Sequence, residues 1–200
     1  MERGQPAGAT GPRPRPGELF RLASRVYLVL AVAGLLWIGW QRRAIPLALF
    51  LPPAHEAWID VLAGLGAAAA LLGAWALARR WLPIAAALEE RLHETLGPLG
   101  PGEAWGLALL SGIAEEVFFR GAMQPAWGYL VATVLFGVLH SGRGRELLLW
   151  TLTALLAGAA LGGLMAWRGN LLAPILCHVA VNAVQLRRIL APPAGAVDPR

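Results

Sequence analysis

Ser111-Gly-Ile-Ala-Glu-Glu-Val-Phe-Phe-Arg120 places three ionisable side chains inside a stretch that otherwise reads as lipid-soluble helix. A carboxylate at membrane depth is costly, so such residues face a partner or a water-filled cavity rather than lipid. Working outward, two further apolar helices each carry a histidine, His140 and His178. Three polar punctuations in three hydrophobic helices read as one site.

The rest of the chain supports a membrane setting. Of 200 residues, 57% are hydrophobic and only 14% charged, against roughly 25% charged in soluble domains. Mean hydropathy is +0.56. The net charge of +5 rests on arginine alone, because there is no lysine. A pI near 10.9 raises nucleic acid as a partner. The arginines, however, flank apolar segments one or two at a time, as in membrane-facing loops, and nucleic acid is rejected. Cys177 is the only cysteine, so no intramolecular disulfide forms and cysteine-pair metal sites are excluded. No small-residue cleavage motif follows the first apolar run, which therefore reads as a retained span rather than a signal peptide.

Hydropathy predicts an all-α, polytopic bundle of about six transmembrane helices plus one amphipathic surface helix. The spans are placed near 22–41, 57–78, 104–123, 127–141, 146–167 and 171–187, with the amphipathic helix at 82–97. The fourth is short for a span and reads as tilted or partly re-entrant, and a break is expected at Gln124-Pro125. Gly158 and Gly162 form a GxxxG pair suited to close packing. Residues 1–18 are expected to be a disordered cytoplasmic tail, 19–189 one membrane-embedded domain, and 190–200 a flexible tail. Arginine placement puts both termini in the cytoplasm. Tryptophans near span ends, such as Trp37, Trp81, Trp127 and Trp167, read as interfacial anchors.

Spacing sharpens the polar residues. Glu116 and Arg120 are four apart, acid first, and share a helical face. Glu115 is turned about 100° from Glu116 and would face the cavity. Alternatively, both acids merely neutralise Arg120. Phe136 and His140 are again four apart, as are His178 and Asn182. Taken alone, His140 also reads as an interfacial or satisfied core histidine, and His178 with Asn182 as an interhelical hydrogen-bonding pair. Cys177 adjoins His178 but points elsewhere on the helix and reads as filler. Asp60 reads as a hydrated end residue or an extra polar contact.

In combination, Glu-Glu-x-x-x-Arg, Phe-x-x-x-His and His-x-x-x-Asn on successive apolar helices resemble the CPBP family. These are the CAAX-processing and bacteriocin-processing intramembrane proteases, also called the Abi or Ras-converting endopeptidase family. The run Asn170-Leu-Leu-Ala-Pro-Ile-Leu-Cys-His178 is similar to that family's approach to its second histidine. The resemblance covers about 104–185. It implies hydrolysis of a peptide bond in a membrane-associated protein or peptide by a glutamate-activated water. Carried over, Glu115 is the base and His140 helps hold the water. His178 and Asn182 stabilise the oxyanion, while Glu116, Arg120 and Phe136 support them. His140 then lies nearer the cytoplasmic end of its span than Glu115 does, which calls for a tilted fourth helix.

The resemblance leaves a metal open, since family members are described both as metalloproteases and as metal-free glutamate proteases. Glu115, His140 and His178 could hold a catalytic zinc with an open position. Glu116 would then have to be the base, although its spacing ties it to Arg120, so no metal or cofactor is the preferred reading. The alternatives in function are a non-catalytic scaffold or bacteriocin-immunity protein of the same family, and a proton-coupled transporter using Glu115 and His178 as a relay. The expected setting is the lipid bilayer of a bacterial cytoplasmic membrane.

Overall fold

A computed structural model of the chain describes residues 17–97 and 99–191. Most of both expected tails lies outside the described residues. Among the described residues, seven helices longer than a single turn follow one another: α1 (Glu18–Arg42), α2 (Ala54–Trp81), α3 (Pro83–Leu96), α4 (Pro101–Trp127 in three joined segments), α5 (Tyr129–Leu139), α6 (Arg145–Arg168) and α7 (Leu172–Leu190). No strand occurs among the described residues. The protein is thus a helical membrane bundle. Three stretches, 18–42, 47–81 and 145–168, are long and apolar enough to cross a membrane by length and composition. The α4 and α7 helices are more polar and sit within the bundle, against α1 and α2. Leu36, Trp40, Leu130 and Leu156 face outward, as a lipid-solvated surface requires.

Helix α4 starts where its sequence says it should. Pro101 occupies the first turn, where no amide donor is needed, and Glu103 accepts the Gly100 N–H at 2.8 Å. Its course then departs from the expected break at Gln124-Pro125. Residues Glu116–Met123 form a π-helical segment, and a last α turn, Gln124–Trp127, carries the helix onward. The Gln124 N–H reaches back to the Phe119 carbonyl, so the widened ladder has already shifted register where the proline removes a donor. The chain reverses instead at Gly128, with φ 88°, a conformation that glycine adopts without strain.

The fourth span is short, as its sequence suggests. Helix α5 has only 11 residues and rises about 16 Å, roughly half the hydrocarbon thickness. From Glu115 to the end of α4 is a similar climb, so the returning α5 brings His140 back to the level of Glu115. The expected mismatch in depth disappears, and tilt is not needed to close it.

Close packing follows small residues. Gln124 and Arg120, one turn apart on α4, donate to the carbonyls of Gly162 and Gly158 on α6 at 3.0 and 3.1 Å. On α2, a Cβ at Gly64 would lie 2.5 Å from the Ala173 carbonyl oxygen of α7. Gly64→Ala should therefore force α2 from α7 and cost about 1–3 kcal/mol. A lowered unfolding temperature in detergent checks it; an unchanged one contradicts this contact.

Asp60 is not a hydrated end residue. It is fully buried, accepting from Arg168 Nε at 2.7 Å and Asn170 Nδ2 at 3.2 Å. This network ties α2 to the α6–α7 junction. The amphipathic α3 docks one face on the bundle. Glu89 accepts from Trp75 at 2.9 Å and pairs with Arg79 at 2.8 Å, while His93 Nδ1 donates to the Ile189 carbonyl at 2.6 Å. Cys177 packs among Ala68, Leu161, Leu164 and Ala173, in line with its reading as filler. Trp81, Trp127 and Trp167 are exposed. Trp37, by contrast, packs edge-on against Phe118 and Trp127, inside an aromatic cluster.

Candidate active site

Glu115, Glu116 and Arg120 on α4, His140 at the end of α5, and His178 on α7 converge. Glu115 Oε2 lies 3.8 Å from His140 Nε2 and 4.0 Å from His178 Nε2. Both separations exceed a direct hydrogen bond and suit one intervening water. Glu115 is 6% exposed, and its Oε2 has no hydrogen-bond partner among the described residues. A buried oxygen without a partner needs a reason.

The other nitrogen of each imidazole is committed. His140 Nδ1 is 2.7 Å from the Phe136 carbonyl. A carbonyl only accepts, so Nδ1 carries a proton and donates to it, which leaves Nε2 turned toward Glu115. His178 Nδ1 is 2.7 Å from Glu116 Oε1 and donates to it. That same oxygen accepts from Arg120 Nη1 at 2.9 Å. Arg120 is in turn held by the Gly158 carbonyl and stacks over the Phe136 ring, 4.3 Å from its centroid. Phe136 also meets His140 at 4.6 Å and His178 at 5.8 Å between centroids. One aromatic ring thus buttresses three polar side chains.

Two expectations change. Adjacent glutamates on an α-helix point about 100° apart, which assigned Glu115 to the cavity and Glu116 to Arg120 alone. In the structure both reach the same imidazole, Glu115 toward Nε2 and Glu116 on Nδ1. They sit at the junction where the helix widens from α to π, and a π turn rotates less per residue. Asn182 is the other change. Its Nδ2 donates to Ser111 Oγ at 2.9 Å, forming a rung one turn below Glu115 and His178.

Spacing arguments passed over two neighbours. Ser111 lies four residues before Glu115 on the same face and is buried; that spacing was the available signal. Trp150 packs edge-on against His140 at 5.6 Å, and nothing in its local sequence pointed to it.

Residues 100–184, which include all of these site groups from α4, α5 and α7, match the model of the family described as Type II CAAX prenyl endopeptidase Rce1-like. Over these residues the chain is similar to that family. A relative in Bacillus subtilis (strain 168), "Uncharacterized protein YpbD", is 36% identical over 80 residues. That match covers 39% of this chain and 41% of the relative, so the chain spans about two fifths of that relative's length. No solved structure matches the chain. Helices α1, α2 and α3 lie outside the CPBP match and pack around it.

Proposed function

We propose that the chain is an intramembrane endopeptidase that hydrolyses a peptide bond in a membrane-associated protein or peptide through a glutamate-activated water. The observation that carries this reading is the Glu115 oxygen set 3.8 and 4.0 Å from two imidazole nitrogens whose partner nitrogens are already engaged.

In this mechanism, Glu115 takes a proton from the water while the His140 lone pair accepts its other hydrogen. The hydroxide oxygen bonds to the scissile carbonyl carbon, and the C=O π electrons move onto oxygen. His178 in its doubly protonated form offers Nε2–H to that oxyanion, with Nδ1–H held by Glu116. Such a donor contributes about 3–4 kcal/mol. Glu115 then passes its proton to the departing amide nitrogen. The C–N bond breaks, and an acid and an amine leave. Asn182 acts as a second oxyanion donor through the Nδ2 hydrogen that Ser111 does not take.

A zinc ion fits the site less well. Among the described residues, no three His, Cys, Asp or Glu side chains stand as a set that could hold a metal. Glu116, which would have to be the base, already serves Arg120 and His178. No step is routed through a metal.

The deciding experiment is the purified protein in lipid nanodiscs against a library of membrane-tail peptides, with and without chelator. Cleavage that persists in chelator is expected. Loss of cleavage in chelator, restored by zinc, would overturn the metal-free mechanism, and no cleavage of any peptide would count against the endopeptidase reading.

A further inference from the structure

Helix α1 lies outside the family match but runs parallel to α4 at close range. Phe20 packs over Gly106, Gly34 lies against the Phe118 backbone at a separation where a Cβ would come within 3.0 Å, and Gln41 donates to the Ala122 carbonyl at 3.0 Å. These three residues are spaced by multiples of seven, a repeat that keeps one helix face on its neighbour. Tyr27 is the remaining member of the series. The register between Phe20–Gly106 and Gly34–Phe118 sets it abreast of the α4 turn that ends in Glu115. There the Tyr27 hydroxyl and the Glu115 carboxylate are neighbours, one a donor and the other an acceptor.

A phenolic hydroxyl nine residues into an apolar helix is under pressure to find a partner, and in lipid that partner must come from the protein. Among the groups abreast of it on α4, Glu115 is the acceptor. The contact also answers a need of the site. Glu115 Oε2 must point between two imidazoles, yet the α4 backbone alone leaves a glutamate three rotatable bonds.

We infer that Tyr27 is a positioning residue, its hydroxyl holding the Glu115 carboxylate so that the free oxygen faces His140 and His178. The inference rests on the proposed endopeptidase reading for its kinetic consequence, but the contact itself does not. Tyr27 touches neither water nor peptide and acts only through Glu115.

The test compares Tyr27→Phe, which removes only the oxygen, with Tyr27→Leu, which also removes the ring, on the tail peptide cleaved fastest by the unaltered protein. Removing a hydrogen bond to a charged acceptor should lower kcat by about 10–100-fold for both variants, with KM within about twofold. A role in packing alone would leave Tyr27→Phe at full kcat and impair only Tyr27→Leu, and that result would overturn the inference. Unfolding temperature in detergent should be unchanged for Tyr27→Phe. An experimental structure provides the arm that needs no activity. A Tyr27 oxygen more than about 4 Å from both Glu115 oxygens also overturns the inference. If no peptide is cleaved by the unaltered protein, the endopeptidase reading fails and the structural arm alone decides this one.

Discussion

Glu115→Gln should reduce cleavage of membrane-tail peptides by about 10²–10⁴-fold, the range a positioned general base contributes. The amide keeps the volume and shape of the acid but cannot take a proton from water. Its NH₂ group would also present hydrogens toward the His140 lone pair and leave no oxyanion chemistry to drive. Because the side chain stays the same size, the unfolding temperature in detergent should move little. Loss of turnover without loss of fold separates a chemical role from a structural one. A variant that keeps more than about a tenth of normal turnover would remove Glu115 from the role of base, since that residue loss falls below what base catalysis supplies.

Arg120→Leu is expected to give the largest loss of stability. Arg120 is 1% exposed and Glu116 is fully buried; the guanidinium is the cation that compensates this carboxylate. Removing one partner of such a buried pair costs about 3–5 kcal/mol, because the remaining carboxylate keeps only the His178 N–H as a partner. The variant also loses the stack on Phe136 and the bond to the Gly158 carbonyl. Pairing it with Glu116→Gln should recover part of the loss, because the orphaned charge goes with it. Arg120→Lys should recover less than its charge suggests, since one ammonium cannot reproduce the planar fork that serves Glu116 and Gly158 together. Thermal unfolding in detergent measures all three. An Arg120→Leu protein as stable as the unaltered one would show that the buried pair contributes nothing to the fold.

Much of the site was legible because its members recur at helical spacing. Glu116 to Arg120, Phe136 to His140 and His178 to Asn182 each read as one face, and the first of these is a bond in the structure. What spacing could not show was the pitch of the helix. Reading α4 with 3.6 residues per turn separates the two glutamates, whereas the π segment lets both serve His178. Pitch depends on how Arg120 and Gln124 meet the Gly158 and Gly162 carbonyls, 38 residues away. Spacing left Asp60 open between a hydrated end and a polar contact for the same reason. Its partner Arg168 is 108 residues distant, and periodicity is blind to such a pairing. The end of the third helix was misplaced because Pro125 was weighed without the register shift before it. Tyr27 went unremarked because its meaning depends on which helix α1 faces.

The brevity of α5 has a consequence for supply. A hydrolase embedded in lipid consumes water as its second substrate, and the hydrocarbon around it holds almost none. By returning only halfway, α5 delivers the chain at His140 straight into Ser141-Gly142-Arg143-Gly144, every one of them polar or glycine. Irregular backbone at such depth is tolerated only where water or protein meets it. The exposed residues from Ser141 to Arg145 therefore leave the His140 end of the site open at the surface of the bundle.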